Sequence, residues 1–355
     1  MPNIISLNRS QLKQAIVENK YWQNGHSLLT VNTANWLTQN PYLEDSDICA
    51  IIGLENNQII ASIEIIPDQF LLETGTYTKK FWLKNWMVSK DFSSDNGSSS
   101  KIGSLLFFEA INKLDGQILV GTYTKITEKF YNNKRLFHEL SNRTISTLFF
   151  KLPTNLLIKR KKQFKYLNPL VNFINLGIYN FYLFTTQLAH RKLNKSFQII
   201  PIPEIDKEAL DFIQERSKND FTKKNEKYIK WKLDNIQFNF KNELDGPTEK
   251  IKSFKIKRDN VLIGLLSFAI DKYALEIKLF FAKDEESHRL CISALMQLFF
   301  KANAYYINTT NKNIVKSIEQ NYKPFFTHQN EKKVVAYNNI KISNKTVILR
   351  DLDGR

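Results

Sequence analysis

Two places along the chain combine residue types that could do chemistry. In KDFSSDNGSSSKIGSLL (90–106), a Ser-, Asp- and Gly-rich stretch runs into a strongly apolar helical pattern. A loop that opens a helix offers unbonded backbone N–H groups and the positive end of the helix dipole, which suits a pyrophosphate. Lys101 and Gly103 stand at that entrance. The lysine can pair with phosphate, and the glycine permits close backbone approach; an ordinary serine-capped strand-to-helix connection has the same composition. The second place is Glu64 in the apolar run IASIEII (60–66). Burial there would perturb its pKa, the property a general base needs, although a carboxylate in a half-exposed strand also simply faces water. The solitary His138 is a further candidate. Cys49 and Cys291 sit in apolar runs as small hydrophobes, with no disulfide or zinc spacing.

Elements must position these residues. Leu12, Ala15 and Ile16 recur at helical spacing between Ser10, a candidate cap, and Tyr21, and a short helix covers 34–39. DICAIIGL (47–54), the turn Glu55-Asn56-Asn57 and QIIASIEII (58–66) predict a hairpin. KFWLKNWMVS (80–89) predicts a strand with Phe81, Leu83, Asn85 and Met87 on one face and Trp82, Lys84, Trp86 and Val88 on the other. A helix (102–114), a buried strand (117–123), a helix (124–134) and a closing strand (145–152) follow. From about 197 the order recurs in weaker form: a helix (204–217), YIKWKL (228–233), three strands between 251 and 282, a helix (288–304), the strand YYINTT, a helix from Asn311 and a last strand, KKVVAYNN. This alternation points to an α/β chain with an internal duplication, not a bundle or an all-β barrel.

A length of 355 residues exceeds what one core usually serves, and 43% hydrophobic with 24% charged residues is a globular mixture. MPNIISLNRSQLKQ lacks the basic start and long apolar stretch of a secretory signal, which with so few cysteines predicts a cytoplasmic setting. The net charge of +16 is uneven: residues 1–150 balance to zero, whereas 151–200 hold nine Lys/Arg and no acid. That concentration points to a local anionic partner. Within it, LNPLVNFINLGIYNFYLFTTQLAH (167–190) has no acid, Lys or Arg and is flanked by KRKKQFK and HRKLNK. Its length suggests a membrane span. The polar stripe Asn168, Asn172, Asn175, Tyr179 and Thr186 fits an interfacial helix on an anionic leaflet, or an inter-domain helix clasped by both halves, better than a span.

In this order of elements the first half resembles the GNAT superfamily of acyl-CoA N-acyltransferases. SSSKIGSLLFFEAI stands where that family carries Gln/Arg-x-x-Gly-x-Gly/Ala, with Ser98, Lys101 and Gly103 at the key positions and only Gly103 matching. TKITEKFYNNKRLF (124–137) resembles the following motif, with Arg135-Leu136 in place of Gly-Phe. The resemblance implies two GNAT-like domains, each a mixed, mostly antiparallel sheet flanked by helices. Residues 1–152 would carry the acyl-CoA site, 153–196 a basic helical connector, and 197–355 a degenerate second copy, where Asp284, Glu285 and Glu286 would repel a pyrophosphate. It implies acyl-CoA, acetyl-CoA first, as co-substrate and no metal. Lys101, Ile102, Gly103 and Ser104 would hold the cofactor together with the strand Trp86, Met87 and Val88, whose backbone would hold the thioester carbonyl. Tyr131 would protonate the departing thiolate, or pack beside Phe130 as a helix-face aromatic. Glu64 is the best general base. The acceptor would be a small-molecule or lipid-linked amine, such as an amino sugar or a surface-polymer precursor, with peripheral contact to an anionic membrane through 159–195. Trp231 in YIKWKL would shape the acceptor cleft or anchor the core. A Fem-like transferase using aminoacyl-tRNA and a non-catalytic binding protein are the alternatives.

Overall fold

The computed structural model describes residues 3–22, 28–89, 99–121, 127–128, 136–151, 171, 173–177, 179–184, 197–234, 251–271, 273–338, 340 and 351. The predicted hairpin is its clearest local feature. Strands β2 (Ile48–Glu55) and β3 (Gln58–Leu71) turn through Asn56 and Asn57, at φ 49° and 60°. A two-residue type I′ turn needs positive φ at both positions, and asparagine tolerates it. An unforeseen strand, β1 (Asn3–Asn8), pairs antiparallel with β2. Its last residue, Asn8, rather than Ser10, caps α1 (Arg9–Val17) in a reciprocal box with Gln11. Helix α2 (Val31–Thr38) follows.

Strand β4 (Tyr77–Val88) runs antiparallel to β3, and α3 (Ser99–Lys113) leads to β5 (Ile118–Val120), parallel to β4. The next strand, β6 (Phe137–Phe149), does not join β5. The second half supplies β7 (Gln198–Ile202), α4 (Lys207–Arg216), α5 (Glu226–Asp234), β8 (Lys252–Arg258), β9 (Val261–Asp271) and β10 (Ala274–Ala282). It ends with α6 (Glu285–Lys301), β11 (Tyr306–Thr309), α7 (Lys312–Tyr322) and β12 (Phe326–Tyr337). The twelve strands among the described residues form one sheet in the order β1-β2-β3-β4-β5-β12-β6-β11-β10-β9-β8-β7. The order is a palindrome in which each half closes on the other's last strand: β12 pairs with β5, and β6 pairs with β11. β6 and β12 then pair with each other along twelve residues, from Phe149–Phe326 to Phe137–Tyr337.

Both faces of the sheet are covered. In the first half, Ile51, Ile63, Ile65, Phe81 and Leu83 pack beneath Ile102, Leu106, Phe107 and Ala110 of α3. The opposite face packs Ile52, Ile66, Phe70 and Trp82 against α1, α2 and, from the second half, Tyr228 and Trp231 of α5. Trp231 stacks on Trp36 with centroids 4.7 Å apart and planes 6° from parallel, and its indole N–H donates to the Trp36 carbonyl at 3.0 Å. It is a core anchor. The Tyr228 hydroxyl and the Trp82 indole donate to the buried Asp68 carboxylate at 2.7 and 3.2 Å.

In the second half, α6 and α7 cover one face and α4 and α5 the other. The residues described between 171 and 184 are helical and lie against α6. Tyr179 donates to the Phe300 carbonyl at 2.7 Å, Tyr182 donates to the Lys323 carbonyl, and Asn175 is buried. Asn175 and Tyr179, which belong to the polar stripe, therefore face protein rather than water. Among the described residues, no helix is long and apolar enough to cross a membrane.

Candidate functional site

The site is built around an irregularity in β4. Opposite Ser62 and Glu64 of β3 stand Met87 and Lys84, so β4 spends three residue steps where β3 spends two. The extra residue is absorbed at Asn85, whose φ of 45° lies in the left-handed region that asparagine tolerates better than most residues. This bulge has two consequences. It re-phases the strand: Phe81 and Leu83 face α3, and after the bulge Trp86 and Val88 face α3 as well. The simple alternation expected over 80–89 fails here. Among the described residues the ladder of β4 with β5 covers Phe81–Leu83 against Ile118–Val120, and the bulge follows it while β4 runs on to Val88.

Helix α3 begins over the bulged segment. A Cβ added to Gly103 would stand 3.4 Å from both Trp86 Nε1 and Val88 Cγ2, so the first turn lies directly on the re-phased side chains. Trp86 in turn stacks on Phe107 with centroids 5.1 Å apart. Ile102 is buried towards Gly53, Ser104 is half-buried, and Lys101 is exposed at the helix entrance. The first turn of α3 carries no acid. It therefore keeps its attraction for an anion.

The face of the sheet away from α3 holds the acid, Glu64 of β3, paired across to Lys84 of β4. Glu64 is 1% exposed, and neither carboxylate oxygen has a hydrogen-bond partner. The nearby Asn85 Nδ2 and Ser62 Oγ are likewise buried without partners. Desolvation raises the Glu64 pKa to about 7, against the smaller opposing pulls of the Asn85 amide and the Lys84 charge. Ser62, Glu64 and Asn85 thus gather buried polar groups at one bulge, with the Asn85 amide the side chain that most favours the ionised Glu64 carboxylate.

The second half repeats the device with different side chains. β10 pairs with β11 only over Ala274–Glu276, and a bulge at Lys278 follows. Beyond it, a cleft of about 520 Å³ is lined by Phe280, Asp284, His288, Asn311 and Ser317 among others. Here Asp284 caps α6, accepting from the Ser287 N–H at 2.8 Å, with Glu285 and Glu286 in the first turn. The acids occupy the end of the helix that an anion would need.

No family model and no curated protein matches the sequence. Solved structures do match. A probable N-acyltransferase from Enterococcus faecalis V583 aligns over 95% of this chain and 72% of its own, with a TM-score of 0.52 at 7% identity. A GCN5-related N-acetyltransferase from Anabaena variabilis ATCC 29413 gives 94%, 72%, 0.51 and 8% in the same terms. Saccharomyces cerevisiae N-myristoyltransferase with bound myristoyl-CoA gives 95%, 82%, 0.52 and 10%. The chain has a GNAT fold.

Within that GNAT fold, Trp86, Val88, Ile102 and Gly103 come together, with Lys101 and Ser104 on the same helical turn. Met87 points the other way, opposite Ser62 on the Glu64 side. His138 is on β6, separated from β4 by β5 and β12, roughly 14 Å across the sheet. Tyr131, Ser98 and most of the helix expected over 124–134 lie outside the described residues. Cys49 and Cys291 are fully buried, and burial pushes both thiols up to about 12. Among the described residues no cluster of His, Cys, Asp and Glu could hold a metal ion. Sequence reasoning missed the role of Asn85 as the bulge and Ser62 as a neighbour of Glu64. The available signal was an asparagine interrupting an aromatic strand, a residue type favoured at positive φ.

Proposed function

We propose that this chain transfers an acyl group from acyl-CoA, acetyl-CoA first, to an amine. The observation that carries the proposal is the bulge at Asn85, which follows the β4–β5 ladder and turns Trp86 and Val88 onto the first turn of α3. In this reading the pyrophosphate rests on the N–H groups of that turn beside Lys101, Gly103 and Ser104, and the backbone of Trp86, Met87 and Val88 donates to the thioester carbonyl oxygen as negative charge develops on it. Glu64, half-ionised near neutral pH, accepts the proton of the incoming ammonium through a bridging water, since its carboxylate is wholly buried. Tyr131 then protonates the thiolate. The acceptor is a small-molecule or lipid-linked amine, an amino sugar or a surface-polymer precursor. A cytoplasmic protein with peripheral contact to the inner face of the membrane through 159–195 would reach the lipid-linked class.

Calorimetric titration with acetyl-CoA tests the reading. Saturable binding that weakens on Gly103→Leu is expected; absence of binding at millimolar acetyl-CoA would overturn it. The acids at the start of α6 favour a single donor site, in the first half.

A further inference from the structure

We infer that the helix over 171–184 docks the protein on an anionic phospholipid bilayer through the exposed side chains Phe173, Leu176, Phe181 and Phe184. This inference makes the peripheral contact specific and does not rest on the acyl-transfer reading. The four residues fall at spacings of three, eight and eleven from Phe173, one stripe of an α-helix. They are 76, 59, 63 and 61% exposed. Among the described residues, eleven large apolar side chains are exposed, and with Ile174 five of them lie in this one helix. The rest are two pairs, Leu105 with Phe108 and Phe325 with Phe326, and two single residues, Val17 and Val261, so the helix carries the largest group.

The helix cannot hide the stripe by rolling over. Its other face is fixed to α6 and to the residue after α7 by the Tyr179 and Tyr182 hydroxyls, by stacking of Tyr182 on Phe300, and by the Lys151 ammonium 3.9 Å above the Tyr179 ring. The Tyr179 and Tyr182 rings, Leu183 and Asn175 thus face protein, while Phe173, Leu176, Phe181 and Phe184 stay outward.

Charge selects the occupant. Along the sequence, five Lys/Arg (Lys159, Arg160, Lys161, Lys162 and Lys165) precede the helix and three (Arg191, Lys192 and Lys195) follow it, with no acid anywhere in 151–200. A second copy would bring the same basic flanking sequence and no acid to pair with it. A nucleic acid would use the charge and leave the apolar stripe in water. An anionic leaflet satisfies both, because aromatic side chains enter the acyl boundary while basic flanks meet the headgroups.

The test is co-sedimentation with phosphatidylcholine vesicles, with and without phosphatidylglycerol. The full chain is compared with Phe173→Ser/Phe184→Ser and with a variant carrying Ala at 159–162. Wild type should bind only the vesicles containing phosphatidylglycerol. The double serine variant should bind about 10- to 100-fold more weakly with an unchanged melting temperature, since both side chains are already exposed. Each basic residue removed should cost about fivefold, and salt should weaken binding. The inference is overturned if wild type ignores the vesicles, if the double serine variant binds as wild type does, or if the stripe instead holds a dimer that the same variant breaks. Sedimentation with tRNA and not with vesicles would overturn it too. Acetyl-CoA titration of the serine variant reads the donor site separately, so either proposal can fail alone.

Discussion

Glu64 couples the candidate chemistry to stability, and the coupling has a definite sign. An ordinary glutamate titrates near 4.5, and in the folded chain desolvation lifts this one to about 7. Below pH 4.5 the carboxyl is protonated in both folded and unfolded states, and its burial costs nothing that depends on pH. As pH rises from 4.5 towards 7 the unfolded chain ionises and the folded chain does not, so the folded state is progressively disfavoured. Above about pH 7 the loss levels off at about 3 kcal/mol, from 1.36 kcal/mol per pH unit. Glu64→Gln removes the titration while preserving shape. Its melting temperature, measured against wild type by scanning calorimetry from pH 4.5 to 9, should gain on wild type by about 6 °C across that interval, at roughly 2 °C per kcal/mol for a chain of this size. The unpartnered amide of the glutamine adds a constant offset that this difference cancels. If Glu64 is also the base, the acidic limb of the acyl-transfer rate near pH 7 should vanish in the same variant. A melting difference that does not change with pH would refute the reasoning, because a carboxylate solvated in the folded state would titrate alike in both.

Other substitutions probe the frame. Tyr228→Phe deletes the 2.7 Å hydrogen bond to Asp68 and should cost about 1–3 kcal/mol in urea unfolding, the penalty of a weakened buried carboxylate. Trp231→Ala empties the stack against Trp36, with an expected loss of about 3–5 kcal/mol and faster proteolysis between the halves. Gly103→Ala places its methyl at ordinary contact distance from Trp86 and Val88 and should change stability by less than about 1 kcal/mol. Gly103→Leu overpacks the same gap and should lose about 1–3 kcal/mol together with acetyl-CoA affinity. Neither Cys49 nor Cys291 should react with a thiol reagent at pH 8 until the chain is unfolded, when both should.

Local patterns in the sequence were legible where local physics decides. The β2–β3 turn is written in two asparagines, and the apolar periodicity of α3 and α6 locates both helices within a few residues. Glu64 could be singled out because a carboxylate inside IASIEII is anomalous wherever the strand lies. What failed was register and pairing. The alternation of β4 was misjudged because one bulged residue shifts every later side chain to the other face. β1 and β7 are half-exposed edge strands with weak apolar patterns. The position of β12 beside β5 has no local signature, since a strand's partner is set by distant surfaces rather than by its own composition.

The crossed closing strands bear on how such a chain can be made. When Val120 leaves the ribosome, the β5 edge of the first half has no neighbour, and the strand that covers it begins at Phe326. At about 5–20 residues per second, that interval lasts roughly 10–40 s. For that time the nascent first half presents an open edge beside its candidate donor site, a template for pairing with another chain. A cut between β6 and β7 would part β12 from β5 and β6 from β11, so each half would lose a sheet neighbour. Completion of the candidate active half thus waits on synthesis of the chain as far as Tyr337.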